Sequence, residues 1–357
     1  MIRTGLAAAG IAALLVTGLP AAAVDSPAEP MPLPLAREVV GQTIELVESR
    51  GVHARRQDDY DRARAALLAT LGAAGEEQAD RKAVYGGIRA LLATLDADGH
   101  SFLVPAMPAQ NPQPPSAGSE RGAQHAPAFS LVSTGRGTVL RWTPPPIQGG
   151  ADVFDPYIKR FYDEAEARPG IKAACALVVD LSEQTGGNAW PPFIAMYPLF
   201  GDANTARLVD RDGKRMPFVD RRGLEATARA GAAGRANPLA PYAAGPLAVV
   251  VGSRTASAGE MLLVALLGER KVQTFGQTSY GLSTSNMTHP LADGSTLVLT
   301  EMRYALGDGP VYRGGIPAMH PLEQGEALDA ALRAAAEWAA ASTPACGAAP
   351  RVAGAQP

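Results

Sequence analysis

Ser257 has the sequence context of a catalytic nucleophile. It follows an apolar run over 246–252 that predicts a strand buried on both faces, and it begins a predicted helix over 257–268. Because the first turn of a helix presents unbonded N–H groups, the Ala258 N–H could stabilise an oxyanion that forms beside the serine. Glu260, three positions later, also gives the pattern of a helix-capping box. Position alone leaves both interpretations of Ser257 open.

A pair of glycines follows a second predicted buried strand. The strand covers about 173–181, and Gly186 and Gly187 come before a helix-like segment that begins near Trp190. Glycine lets backbone N–H groups approach a substrate carbonyl because no Cβ stands in the way. The carboxyl ends of parallel strands are also where α/β sheets usually bind ligands. The pair is therefore a candidate source of oxyanion donors, and an ordinary tight turn is the alternative.

A serine nucleophile needs a base, and His100 is the best candidate. It follows Gly99, directly after a predicted helix over 81–95, and glycine can turn the ring into an unusual direction. A histidine at a helix end can instead act as a cap that interacts with the helix dipole. Lys271 is the rival base, although a surface lysine at the start of a strand is its more ordinary interpretation.

The other reactive side chains and the net charge exclude several classes of protein. The histidines stand singly at positions 53, 100, 125, 289 and 320, so no metal site is predicted. Cys175 lies in the apolar run 173–179 and is predicted to be a buried, inert thiol. With Cys346 it also permits one disulfide, and the pairing is left open. The formal net charge of −3 provides no field that would attract nucleic acid.

The N-terminal part of the chain predicts an export signal followed by a helical bundle. Residues 1–23 combine a basic start, an apolar run and small residues, which is the pattern of a cleavable signal peptide. Residues 24–104 contain three predicted amphipathic helices, over 35–50, 59–71 and 81–95, and end in the His100 segment. No apolar run reaches the ~20 residues that span a bilayer. A periplasmic or secreted protein without a membrane span is therefore expected.

A mixed α/β core is predicted for residues 128–342. Residues 105–127 are rich in proline, serine and glycine, which predicts a linker before the core. Within the core, buried strands alternate with helices. Asp293-Gly294 has the chemistry of a tight turn and predicts antiparallel strands near 283–306.

Two segments stand outside this alternation of strands and helices. Residues 203–245 form either a cap over the site or a solvated insertion. Residues 343–357, after a last predicted helix over 325–342, lack periodicity and predict a mobile tail.

Taken in chain order, these segments resemble the C-terminal-processing (tail-specific) serine peptidase family, which includes the tricorn core protease. The segments are Asp98-Gly99-His100-Ser101, Asp180-Leu181, Gly186-Gly187-Asn188, Thr255-Ala256-Ser257-Ala258-Gly259-Glu260 and Gly276-Gln277-Thr278. The resemblance implies a core domain of the ClpP/crotonase type with Ser257 as the nucleophile. It also implies that the Gly186-Gly187 turn and the Ala258 N–H supply the oxyanion donors.

Departures from the family pattern indicate which branch of the family the chain resembles. Ser–Lys members carry a lysine at the position of Leu282, so the resemblance is to the Ser–His branch, in which His100 becomes the base. No PDZ segment is recognisable between His100 and Asp180, which makes the chain similar to the nisin-resistance protein type. The glutamate that tricorn-like members add has no counterpart near Tyr312. The third catalytic residue is therefore unassigned, and Ser101 is a candidate support for His100.

The sequence thus predicts an exported serine-type endopeptidase that acts on a peptide or protein substrate through an acyl-enzyme, without a cofactor. The alternative is a catalytically impaired homologue that acts as a peptide-binding protein. An acyl-CoA enzyme of the related crotonase fold is a third interpretation. It fits the export signal poorly, and no basic site for the CoA phosphates is identified.

Overall fold

The computed structural model describes residues 30–72, 76–95, 99–106, 127–269, 271–323 and 325–347. The predicted signal peptide lies outside these residues, as does nearly all of the predicted linker. Within the described residues no helix is long and apolar enough to cross a membrane.

The N-terminal unit is a small helical bundle, as predicted. Its elements are β1 (Met31–Pro32), α1 (Leu33–Ser49), α2 (Gln57–Ala69), β2 (Gln78–Ala79), α3 (Arg81–Leu92) and β3 (Phe102–Val104). The three predicted helices are therefore present, with ends that differ from the prediction by a few residues. Apolar side chains at helical spacing on α3 are buried, namely Val84, Tyr85, Ile88, Leu91 and Leu92. A bundle core formed by such side chains is the expected result of this pattern.

The core of the chain follows with ten further strands and five helices among the described residues. In chain order they are β4 (Ala128–Thr134), β5 (Gly137–Thr143), α4 (Phe154–Glu166), β6 (Ala176–Asp180), α5 (Trp190–Ala195), β7 (Ala206–Val209), β8 (Arg215–Pro217), α6 (Arg221–Ala232), β9 (Leu247–Val251), α7 (Ala258–Leu267), β10 (Val272–Gly276), β11 (Thr284–Pro290), β12 (Thr296–Leu306), β13 (His320–Pro321) and α8 (Leu328–Ser342). The mixed α/β fold predicted for this part of the chain is confirmed.

The first sheet has six strands in the order β13-β10-β9-β6-β5-β4. All neighbours are parallel except β4, which runs antiparallel to β5. Every residue of β6 and β9 is buried, because α8 covers one face of the sheet while α4, α5 and α7 lie on the other. Since β6 and β9 are parallel neighbours, the turns that follow their carboxyl ends lie side by side at the same end of the strands.

The second sheet is built around β12. Its strand order is β11-β12-β7-β8, and β3 also pairs with β12. The predicted hairpin is present, since β11 and β12 are antiparallel and Gly294 of the turn has a φ of 82°. Asp293 in the same turn accepts a hydrogen bond from the Tyr85 hydroxyl of α3 at 2.5 Å. The hairpin is thereby attached to the N-terminal bundle.

The N-terminal bundle shares its apolar core with the second sheet. Leu103 of β3 and Leu297 and Leu299 of β12 pack into the same apolar cluster as the bundle helices. Arg211, in the turn between β7 and β8, donates a hydrogen bond to the Val47 carbonyl of α1 at 3.1 Å. The bundle is therefore docked on the second sheet, and the chain around His100 runs along this junction.

Residues 203–245 are an integral part of the core, so their interpretation as a solvated insertion is wrong, and their interpretation as a cap over the site stays a prediction. They contribute β7 and β8 to the second sheet, and Leu224, Ala228 and Ala232 of α6 are buried in the main apolar cluster. The abundance of arginine in this segment suggested a solvated surface. The apolar positions at helical spacing on α6 determine its packing instead.

Cys175 is not a thiol, which corrects a further prediction. It forms a disulfide with Cys346, across a Cα–Cα distance of 5.2 Å. Cys346 is buried, so residues 343–347 of the predicted mobile tail are held against the start of β6. The sequence could not show this, because the two cysteines are 171 residues apart and meet only when α8 covers the sheet.

Candidate active site

Ser257 lies in the turn between β9 and α7 in an unusual backbone conformation. Its φ is 51° and its ψ is −110°, and residues other than glycine rarely adopt a positive φ. The surrounding backbone is fixed by hydrogen bonds. The Ala256 N–H donates to the Gln184 carbonyl at 3.0 Å, and the Tyr280 N–H donates to the Thr255 carbonyl at 2.8 Å. Strain that is held in place by its surroundings is a common property of functional turns.

Glu260 is buried beneath this turn and joins it to a neighbouring loop. One carboxylate oxygen, Oε2, accepts from the Ser257 N–H at 3.1 Å, which is the glutamate half of the predicted capping box. The other, Oε1, accepts from the Ser279 hydroxyl at 2.5 Å and from the Gly281 N–H at 2.9 Å. Burial raises the pKa of Glu260 to about 7, although these hydrogen bonds act in the opposite direction. A single side chain thus fixes both the serine and residues 279–281.

The glycine pair lies directly beside Ser257. Gly186 has a φ of 124°, and a Cβ added there would stand 3.2 Å from the Ser257 Cβ. At Gly187, where φ is 94°, an added Cβ would lie 2.1 Å from the Ile147 carbonyl oxygen. Both positions therefore need glycine. The Gly186 N–H donates to Gln184 Oε1 at 3.0 Å, so this predicted oxyanion donor already has an acceptor within the protein.

His100 and Ser257 come together, although 157 residues separate them in the chain. His100 Nε2 lies 3.0 Å from Ser257 Oγ. The His100 residue is buried, with 5% of its surface exposed. Its backbone carbonyl accepts a hydrogen bond from Asn286 Nδ2 at 2.8 Å. Lys271, the rival base, precedes β10, whereas Ser257 follows the parallel strand β9. The two residues therefore lie at opposite ends of the strands of the first sheet.

The other ring nitrogen of His100 contacts a residue that the sequence did not single out. His100 Nδ1 lies 2.5 Å from Thr284 Oγ1, at the start of β11. Ser101, the predicted support, accepts a hydrogen bond on Oγ from the Thr300 N–H at 3.1 Å and so attaches the His100 segment to β12. Thr284 carries no local signal of its role, because only the pairing of three strands brings it to His100.

The arrangement is that of a mixed α/β protein with a serine and a histidine in hydrogen-bond contact where the two sheets meet. Residues 152–317 match the sequence model of peptidase family S41, and this match together with the fold supports an assignment to that family of serine-type peptidases. The match includes Ser257, the glycine pair and Thr284. His100 lies outside the matched residues, on the N-terminal side.

Curated relatives resemble parts of the chain. The nisin-resistance protein of Lactococcus lactis subsp. lactis is 28% identical over 124 residues, which is 35% of this chain and 38% of that protein. The carboxyl-terminal-processing peptidase 2, chloroplastic, of Arabidopsis thaliana is 36% identical over 78 residues, which is 22% of this chain and 15% of that protein. The chain thus matches well under half the length of either relative.

A solved structure resembles nearly the whole chain. The structure of a lipoprotein from Streptococcus agalactiae superimposes with a TM-score of 0.61 at 19% sequence identity. The superposition covers 86% of this chain and 97% of the lipoprotein. It therefore includes the N-terminal bundle as well as the core, and it agrees with the fold described above.

Proposed function

We propose that this chain is an exported endopeptidase that cleaves peptide or protein substrates with Ser257 as nucleophile and His100 as base. The observation that carries the proposal is the 3.0 Å contact between His100 Nε2 and Ser257 Oγ in a member of a serine-peptidase family. The distance is that of a hydrogen bond along which a proton can pass. A helix cap alone would not account for a buried histidine at this position.

In the proposed reaction His100 Nε2 takes the Ser257 proton as Oγ attacks the carbonyl carbon of the scissile peptide. The carbonyl oxygen becomes an oxyanion beside the first turn of α7, where the Ala258 N–H and the positive end of the helix dipole stabilise it. The Gly187 N–H is the proposed second donor, because the Gly186 N–H is occupied by Gln184.

The tetrahedral intermediate then collapses. The C–N bond breaks, the proton on Nε2 passes to the leaving amine, and an acyl-enzyme remains on Oγ. Water attacks the ester with His100 as base, and Ser257 regains its proton as the carboxylic acid product leaves. The protein's own residues carry every proton in these steps, so the proposal needs no cofactor.

Export is part of the proposal and has two supports. The first is the pattern of residues 1–23, which is typical of a cleavable signal peptide. The second is the disulfide between Cys175 and Cys346, since disulfides persist in oxidising compartments such as the periplasm or the exterior.

Peptide turnover by the wild type and by Ser257→Ala tests the proposal. Loss of the nucleophile should lower kcat by at least about 10⁴-fold on any peptide that the wild type cleaves. Ser253→Ala is the matched control, because Ser253 is an exposed serine of the same turn. Equal background turnover by the wild type and Ser257→Ala would refute the proposal and favour the alternative of a peptide-binding protein.

A further inference from the structure

We propose that Thr284 is the positioning residue of His100. Its hydroxyl would hold Nδ1 at the place where a carboxylate holds it in a Ser–His–Asp triad. This inference rests on the proposed function above, since it assigns a task to Thr284 within the same reaction. The position was left unassigned by the sequence, and the contact that suggests it is the 2.5 Å distance between His100 Nδ1 and Thr284 Oγ1.

The strand register explains why Thr284 and His100 meet. Residue 102 of β3 pairs with residue 298 of β12, so the chain at His100 continues alongside Thr300. On the other side of β12, Asn286 of β11 pairs with Thr300. The Asn286 side chain links β11 to both neighbouring segments. Its Nδ2 donates to the His100 carbonyl at 2.8 Å, and its Oδ1 accepts from the Thr300 hydroxyl of β12 at 2.8 Å.

Thr284 lies two residues before Asn286 on β11, and the side chains of both residues contact His100. Asn286 therefore fixes the backbone of His100 while Thr284 contacts its ring. Thr284 pairs with Arg303 of β12, and its N–H donates to the Leu282 carbonyl at 2.8 Å. A β-branched side chain has few χ1 rotamers, which limits the directions in which the Thr284 hydroxyl can point.

The direction of the hydrogen bonds follows from the proposed chemistry. Nε2 must present a lone pair to the Ser257 hydroxyl, so the ring proton of neutral His100 must be on Nδ1. Nδ1–H then donates to Thr284 Oγ1, which accepts through an oxygen lone pair. Thr284 thus selects the tautomer and orients the ring. Unlike a carboxylate, a hydroxyl adds no full negative charge opposite the imidazolium that forms during the reaction.

Two substitutions at Thr284 separate the hydroxyl from the packing of the side chain. Thr284→Val keeps the branched shape and removes the acceptor, whereas Thr284→Ser keeps the acceptor and removes a methyl group. Thr274→Val is the matched control, because Thr274 is a buried threonine of β10 whose hydroxyl accepts from the Met319 N–H at 2.8 Å. All are made in the full chain and compared by kcat and KM on one peptide.

Thr284→Val should lower kcat by about 100-fold and change KM by less than about threefold, since general-base catalysis contributes roughly 10²–10⁴-fold and the base is misdirected but still present. Thr284→Ser should stay within about threefold of the wild type, as should Thr274→Val. Thr284→Val at the wild-type kcat would overturn the inference. Thr284→Ser as slow as Thr284→Val would also overturn it, because packing rather than the hydroxyl would then matter.

A second readout does not depend on turnover. The ¹⁵N resonances of the His100 ring, assigned with a His100→Gln variant, report which nitrogen carries the proton. We expect the proton on Nδ1 in the wild type and in Thr284→Ser, and a mixture of tautomers in Thr284→Val. An unchanged tautomer in Thr284→Val would refute the positioning role. A wild type that cleaves no peptide but shows the expected ring spectra would instead refute the proposed function alone.

Discussion

The serine and the histidine of the candidate site are held in different ways. Ser257 is fixed by its own turn, through a positive φ and a carboxylate only three residues further along the chain. The segment of His100 is fixed from β11 and β12, by two side chains of β11 and a backbone N–H of β12 that are 184 to 199 residues away. The serine half therefore depends on local backbone geometry, and the histidine half depends on the docking of the N-terminal bundle against the second sheet.

This difference has a consequence for catalysis. A turn between consecutive elements of a buried sheet is disturbed only by changes within it or directly beneath it. A residue at the junction of two units is disturbed by any change that shifts either unit. Substitutions near Ser257 should therefore alter both stability and activity. Substitutions around His100 should lower activity only where they remove a contact to the ring or shift one of the two units.

Replacement of His100 should give the largest effect on the histidine half. His100→Gln should lower kcat by about 10⁴-fold or more, because the Ser257 proton then has no base, while KM should change little. The double variant His100→Gln/Ser257→Ala should be no slower than Ser257→Ala alone, since the two residues act as a unit. Steady-state kinetics check both statements. Additive losses in the double variant would contradict a shared proton transfer.

A pair of glycine substitutions compares the two halves directly. Gly186→Ala places a Cβ 3.2 Å from the Ser257 Cβ at a φ of 124°, so we expect about 1–3 kcal/mol of destabilisation and an activity loss of about 100-fold. Gly99→Ala next to His100 also has a positive φ, of 68°, but no atom lies within 4 Å of the added Cβ. It should cost about 1 kcal/mol and leave activity within about threefold.

Denaturant unfolding and peptide turnover measure these two effects separately. Equal activity losses in Gly186→Ala and Gly99→Ala would contradict the difference between the halves. Full activity in Gly186→Ala would show that the glycine turn does not contact the reacting groups.

The last prediction concerns the pH dependence of stability and leaves the catalytic contacts unchanged. Burial raises the pKa of Glu260 from its ordinary value of 4.5 to about 7. Because the folded state binds this proton more tightly, folding becomes less favourable as the pH rises from about 4.5 to about 7, by up to about 3 kcal/mol. Below this pH range Glu260 is protonated in both the folded and the unfolded state. Above it Glu260 is ionised in both states, and the full loss of stability is present.

Glu260→Gln should lack this component. Its free energy of unfolding relative to the wild type should therefore rise between pH 4.5 and 7 and change little on either side. Urea unfolding over this pH range provides the measurement, with Glu183→Gln as control, because the Glu183 side chain is 58% exposed. A difference between Glu260→Gln and wild type that stays constant with pH would contradict the raised pKa.

The serine half could be predicted from the sequence, and the histidine half could be predicted only in part. The strand, the turn and the helix around Ser257 are adjacent in the chain, so apolar runs and glycines specify them locally. His100 was a candidate base from its position after Gly99 and a predicted helix, and the resemblance to a family motif added support. Thr284 could not be found, because its place depends on the register of β11 on β12 and of β12 on β3, and the register shifts between Ser285 and Asn286.

The wrong predictions have the same physical origin. The pairing of Cys175 with Cys346 depends on where α8 packs, and the burial of residues 203–245 depends on strands that β12 recruits across the chain. Local composition indicated an inert thiol, a mobile tail that begins at residue 343 and a solvated insertion. Tertiary contacts determined the actual arrangement in each case.

The reaction of the protein with a fluorophosphonate tests directly whether His100 activates Ser257 as a nucleophile. Such a reagent phosphonylates a serine that a neighbouring base activates, and peptide mass mapping identifies the modified residue. We expect a single adduct on Ser257 in the wild type, a much slower reaction in His100→Gln and no adduct in Ser257→Ala. Undiminished labelling of Ser257→Ala, or an adduct on another serine of the wild type, would contradict this expectation.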